Sequence, residues 1–225
     1  LSTGGAVANT GIALHRLGVP VRLVGKVGRD AFGDAVCGLL QKSGPELARH
    51  MVREPSETTS YSVVLNPPGV DRIFLHCPGA NDSFGPEDLG PAAMEGAGLL
   101  HLGYPPLMKR LYEAQGETLA RILAQVRAAG LTTSLDMALP DPDSPAGRAD
   151  WPAILRNTLP LVDLFEPSLD EIVFMLDREE GARIRRRAAE GVPLGGFSAG
   201  AVRDLAQRLL DLGAAVVLLK LGREG

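Results

Sequence analysis

Cysteine is nearly absent: Cys37 and Cys77 are the whole complement of a 225-residue chain. Neither has a second Cys or a His at ligand spacing, which excludes a disulfide framework and a cysteine metal site and points to a reducing, cytoplasmic setting. Long apolar runs are missing too. The longest, Gly213 to Leu219, is strand-sized and far short of the roughly 18 to 20 residues that span a bilayer, so no membrane partner is expected. The chain opens Leu1-Ser2-Thr3-Gly4-Gly5 with neither Met nor a charged leader, so it carries no signal peptide and is expected to start inside a longer sequence. A basic excess is also lacking, with 23 Lys and Arg against 27 Asp and Glu. The densest basic cluster, Arg183 and Arg185 to Arg187, is flanked by Glu179, Glu180 and Glu190 and reads as a solvated helix face, which excludes a nucleic-acid partner. What remains is 45% apolar and 22% charged, the composition of a globular protein rather than a disordered one. A chain of this length buries roughly 70% of its unfolded surface without help from a metal or disulfide.

Hydrophobic spacing organises the chain. After Gly4-Gly5, the residues Val7, Gly11, Leu14 and Leu17 fall at helical intervals until Gly18 and Pro20 stop them. Val21 to Val27 reads as a strand, and Asp30 is placed to cap a helix with an apolar stripe of Phe32, Val36, Leu39 and Leu40. From Thr59 to Asn66 the pattern alternates, Pro67-Pro68-Gly69 turns it, and Arg72 to Cys77 returns it, a hairpin interrupting an α/β rhythm. The rhythm resumes with strand Gly98 to Leu102, a helix from Leu107 to Ala129 and strand Leu131 to Asp136. Strand Leu161 to Phe165, a helix from Ser168, a helix Ser198 to Leu212 and strand Ala214 to Leu219 complete it. Strands alternating with helices imply parallel crossovers, so the fold class is α/β: a doubly wound, mostly parallel sheet flanked by helices, with a small β-hairpin lid over about 58–77. Residues 1–225 are read as one incomplete domain.

Ligands of open parallel sheets sit beyond the carboxyl ends of the strands. Here those positions are Gly25 to Asp30, Gly103-Tyr104, Asp136, Glu166 to Glu171 and Lys220 to Gly225. Glycines that let backbone N–H groups approach phosphate, carboxylates and one lysine suit a phosphorylated ligand with a divalent ion. Asp136 reads equally as a loop-fixing carboxylate or a site-edge residue. Gly4-Gly5 with Asn9 puts bare backbone at a helix start and an amide one turn in, able to grip hydroxyls; a plain glycine turn is the competing reading. His76 and His101 read as structural or surface residues. Neither a dinucleotide fingerprint, a Walker A loop nor a G-x-S-x-G elbow is present, which speaks against nicotinamide and hydrolase chemistry.

The run Gly4-Gly5-Ala6-Val7-Ala8-Asn9, followed by Val24-Gly25-Lys26-Val27-Gly28-Arg29-Asp30-Ala31-Phe32-Gly33, resembles the first signature of the ribokinase/PfkB family of carbohydrate kinases. The hairpin from Thr58-Thr59 resembles that family's lid, and Pro78-Gly79-Ala80-Asn81 its post-lid turn. Pro167 to Glu171 resembles the N-x-x-E motif, and Leu219 to Gly225 the nucleotide-side turn T-L-G-x-x-G. The resemblance implies transfer of the γ-phosphoryl group of ATP, with Mg²⁺, to a hydroxyl of a sugar-like small molecule. By the same resemblance Gly4, Gly5 and Asn9 hold the acceptor, Glu171 organises Mg²⁺, and Lys220, Gly222 and Gly225 border the nucleotide, acceptor and nucleotide facing one another across the strand ends. Two departures stand out. Ser168 replaces the family's Asn, and Ser168 to Glu171 also forms a capping box. The second signature, D-T-x-G-A-G-D, with its catalytic base, does not occur in these residues, which keeps an inactive ligand-binding module of the same fold as the alternative; a nicotinamide-dependent enzyme is the third reading. The exposed lid edge is suited to strand addition, so a homodimer through the lid is expected.

Overall fold

The structure, a computed structural model, describes residues 1–68, 73–189 and 197–222. Gly69, Arg72, Glu190 and Gly225, named above, lie outside the described residues. In chain order the elements are α1 (Gly5–Arg16), β1 (Lys26–Gly28), α2 (Ala31–Ser43), β2 (Val52–Glu54), β3 (Tyr61–Leu65), β4 (Ile73–Cys77), α3 (Pro91–Met94) and β5 (Leu99–Gly103). They continue with α4 (Lys109–Tyr112), α5 (Glu117–Ala128), β6 (Thr132–Asp136), α6 (Trp151–Thr158), β7 (Leu164–Phe165), α7 (Leu169–Leu176), α8 (Arg178–Ala189), α9 (Ala199–Asp211) and β8 (Val216–Val217). No helix among the described residues is long and apolar enough to cross a membrane. The chain divides into two compact units, the first of residues 1–93 and 107–109 and the second of 94–106 and 110–225.

In the first unit β1 and β2 pair in parallel and β3 and β4 pair antiparallel. Ala8, Leu23, Leu40 and Leu47 form its buried cluster. The strand expected over Val21 to Val27 narrows to Lys26–Gly28 because β2 offers a partner of only three residues, and Leu23 serves the core instead. Gly11 is the contact that lets α1 lie down: a Cβ there would stand 2.0 Å from Leu23 Cδ2. The hairpin is different in kind. All five residues of β3 are exposed, as are Ile73 and Leu75 opposite, and Ser62 Oγ meets His76 Nδ1 across the pair at 2.8 Å.

The second unit is a four-stranded parallel sheet in the order β5-β6-β7-β8. In α5, Leu119, Ile122, Leu123 and Val126 recur at i, i+3, i+4 and i+7 and are fully buried, each contributing about 1.5–3 kcal/mol. The single long helix expected over Leu107 to Ala129 is broken, because Ala114, Gln115 and Gly116 all have positive φ (47°, 53° and 79°). Gly116 is required there, since a Cβ would lie 2.9 Å from Ile154 Cγ2. Strands β7 and β8 are short, yet backbone pairing carries on past them: Leu218 N donates to Phe165 O at 2.8 Å and Lys220 N to Pro167 O at 3.0 Å. That continuation fixes the loops at the carboxyl edge of the sheet. From the basic cluster, Arg183 lies on α8 and donates to Glu180 at 2.6 Å.

Candidate active site

Gly4 and Gly5 form the N-terminus of α1. Gly4 is its extended N-cap residue with no side chain to cap the helix, and Gly5 has φ 76°, a left-handed conformation that favours glycine. The first-turn N–H groups therefore lack an intrahelical partner and sit at the positive end of a 12-residue helix. Nothing stands within 4 Å of where a Cβ would be on either glycine. Ala6, Ala8 and Gly11 take the buried side of the helix, which leaves Asn9 exposed. The three acceptor residues expected from the sequence thus cluster at one open helix end. Asp30 caps α2 as expected, its Oδ1 accepting from Gly33 N at 2.7 Å.

At the carboxyl edge of the parallel sheet, residues far apart in sequence converge. Lys220 Nζ donates to Asp136 Oδ1 at 2.6 Å across 84 positions. The lysine's backbone is held on both sides, its N–H by Pro167 O and its carbonyl by Leu169 N at 3.0 Å. Asp136 Oδ1 also accepts from Met137 N at 2.8 Å, so this carboxylate both fixes its loop and borders the cluster. Tyr104, the residue after β5, donates its N–H to Asp136 O at 3.1 Å from a left-handed φ of 66°. Such backbone costs about 1–3 kcal/mol in a non-glycine residue and is concentrated at functional sites. Glu171 lies one turn into α7 and accepts from Ser168 N at 2.7 Å through Oε2, so it does cap its helix.

Burial is the first cause that raises the Glu171 pKa; the Ser168 hydrogen bonds and the Lys220 charge oppose it without overcoming it. Burial alone would lower Lys220, but the hydrogen bond and charge of Asp136, followed by Glu171 and Tyr104, raise it overall. Tyr104 is raised by burial and then by the charges of Asp136 and Glu171. Burial and mutual charge thus act together on Tyr104, Glu171 and Lys220 at the strand ends, an arrangement suited to charged chemistry. An ammonium has three donors, of which Asp136 takes one, so the remainder can meet phosphate oxygens. Gly222, two residues on, has φ 66° and open space where a Cβ would be. Among the described residues no group of three or more His, Cys, Asp or Glu is arranged as a metal cage.

On the same sheet, His101 Nδ1 lies 2.8 Å from Ser134 Oγ, and Ser134 Oγ donates to Glu166 Oε1 at 2.8 Å. His101 is therefore structurally engaged, as its strand position suggested. Sequence reasoning missed Ser134 because its partners come from neighbouring strands, and the only hint was a polar residue in a buried strand.

A family model described as pfkB family carbohydrate kinase matches residues 1–225. A fructokinase of Vibrio alginolyticus is 26% identical over 199 residues, covering 85% of this chain and 61% of its own length. A fructokinase of Solanum tuberosum is 32% identical over 101 residues, 44% of this chain and 32% of its own length. The chain thus spans less than two thirds of these relatives. Among solved structures, a fructokinase from Xylella fastidiosa superposes with TM-score 0.70 at 24% identity, over 97% of this chain and 64% of its own. Ribokinase from Giardia lamblia superposes with TM-score 0.68 at 19% identity, over 100% of this chain and 60% of its own. These likenesses establish the ribokinase-like α/β fold. With its family model matched from first residue to last, the chain belongs to the pfkB family of carbohydrate kinases.

Proposed function

We propose that the protein transfers the γ-phosphoryl group of ATP to a hydroxyl of a sugar or sugar-like small molecule. The Lys220–Asp136 pair at the strand ends, with Glu171 beside it, carries this reading: it offers one cation with spare donors where a polyphosphate needs it. In this reading Lys220 and Gly222, with Gly225, border the nucleotide. Glu171 would organise the waters around Mg²⁺, which when bound would offset charge on the transferring group. Gly4, Gly5 and Asn9 present neutral donors to the acceptor's hydroxyls and fix its orientation. The β3–β4 hairpin excludes water from the reacting atoms when it closes, so that phosphate goes to the sugar rather than to water.

A relative from Xylella fastidiosa was solved with bound ATP, and several relatives are named fructokinase, so ATP and fructose are the first donor and acceptor to try. A coupled ATP-consumption assay over ketoses, aldoses and nucleosides tests the reading. Acceptor-dependent turnover with one sugar class is expected, and ADP release indifferent to every acceptor would defeat it. The exposed, apolar β3 edge suits strand addition by a second copy, checked by light scattering. Both thiols are unpaired, in keeping with a cytoplasmic setting.

A further inference from the structure

A helix cap needs one carboxylate oxygen and one N–H, and Gly33 supplies that to Asp30. Yet Asp30 makes two further bonds that the helix does not need. Its Oδ1 accepts from Thr59 Oγ1 at 2.6 Å, and its Oδ2 accepts from Thr59 N at 2.7 Å. Thr59 Oγ1 in turn accepts from Gly28 N at 2.9 Å, and the threonine is only 2% exposed. Thr59 sits two residues before β3. The carboxylate therefore joins the start of α2 to the root of the hairpin.

The rest of the root is equally confined. A Cβ on Gly28 would stand 2.3 Å from Glu57 O, and one on Gly79 would stand 2.4 Å from Thr58 O. The outgoing side is tied by Ala80 N to Thr58 O at 2.8 Å and by Asn81 Nδ2 to Ser60 Oγ at 2.9 Å. Beyond Ser60 the restraints change character. Among the described residues, β3 keeps its ladder with β4, the Ser62–His76 side-chain bond and a ring contact of Phe32 with Tyr61 at 5.0 Å, and its residues are exposed.

We propose that Asp30 is a positioning residue for the lid: its grip on Thr59 clamps residues 57–60 to the head of α2, so that the β3–β4 blade moves as a unit from a fixed root. The Thr59 hydroxyl and amide are the main causes holding the Asp30 carboxyl below its ordinary pKa, consistent with a permanently charged clamp. The clamp itself is independent of the phosphotransfer reading, whereas its use in closure rests on it.

Asp30→Asn separates the clamp from the cap. Asparagine caps helices as well as aspartate does, but its amide nitrogen would face the Thr59 N–H, donor against donor. Thr59→Ser keeps the hydroxyl and Thr59→Val removes it. Hydrogen exchange on the ligand-free chain is expected to accelerate about tenfold at 59–65 in Asp30→Asn and Thr59→Val, the effect of losing a charge-assisted bond. Thr59→Ser should stay close to wild type, and α2 should keep its protection in all variants. With ATP and fructose, Asp30→Asn should raise the ratio of ATP hydrolysed to sugar phosphorylated, a leak that a merely destabilised enzyme does not show below its melting temperature. Unchanged exchange at 59–65, or equal acceleration throughout α2, overturns the clamp. A wild-type protein that phosphorylates no acceptor, with exchange behaving as expected, instead removes the phosphotransfer reading and leaves the clamp standing.

Discussion

Asp136 and Asp30 are both carboxylates near the ends of parallel strands, and they are satisfied in opposite ways. Asp136 takes a cation, Lys220, whose side chain remains about half exposed (49%). Asp30 takes neutral donors, two from Thr59 and one from Gly33. A cation with unused donors can be shared with an incoming anion. Backbone amides and a buried hydroxyl cannot leave without unmaking the loop. The first arrangement is thus suited to handling charged ligands and the second to holding a joint still.

The largest effect should come from removing the shared cation. Lys220→Met is expected to weaken ATP binding about tenfold to a hundredfold by calorimetry, the full cost of a broken charge pair being discounted for the lysine's exposure. Unchanged affinity would erase the contrast, because Lys220 would then be as fixed as Thr59. Glu171→Gln comes next, lowering turnover about tenfold at limiting Mg²⁺. Stability should hardly change below the ordinary glutamate pKa, since the glutamine carbonyl can still accept from Ser168 N, and should rise slightly above it, where a half-buried charge is removed. A rate equal to wild type would make Glu171 a helix cap and nothing else. On the neutral side, Asn9→Ala should raise the acceptor KM about fivefold, the worth of one uncharged hydrogen bond, and leave the KM for ATP alone.

The smallest effects sharpen the contrast through pH. Glu171 is raised in the folded state, so the fold binds the extra proton between the ordinary glutamate value and the raised one, and stability falls as pH rises through that window. Asp30 is lowered, so its contribution is present above the ordinary aspartate value and is lost as pH falls through the folded one. Melting temperatures across the acid range should therefore lose opposite slopes in Glu171→Gln and Asp30→Asn. Slopes of the same sign would mean that the two environments have been misread.

Much of this was legible in the sequence because it depends on local spacing. Gly4, Gly5 and Asn9 lie within one helix turn and a half, and the strand-end rule collected Tyr104, Asp136, Glu171 and Lys220 before any pairing was known. What stayed hidden depends on partners far along the chain. The Asp30–Thr59 link spans 29 positions and the Lys220–Asp136 pair 84, and no periodicity encodes either. β2 has three residues and exists only because Gly25 O and β1 receive it. α6 follows a Pro- and Asp-rich stretch that reads as loop, although Asp150 caps it through Ala153 N and a proline sits in its first turn. The break before α5 was signalled by Gly116 alone, a weak cue inside an otherwise helical pattern.

The hydrogen-bonded row across β5, β6 and the end of β7 has a directional consequence. A serine hydroxyl owns one proton, and Ser134 spends it on Glu166 Oε1. Ser134 can then only receive from His101, so Nδ1 is the donor of that bond. The ring is a spectroscopic gauge planted in the sheet: its two nitrogen resonances register whether the serine rotor still points at the glutamate.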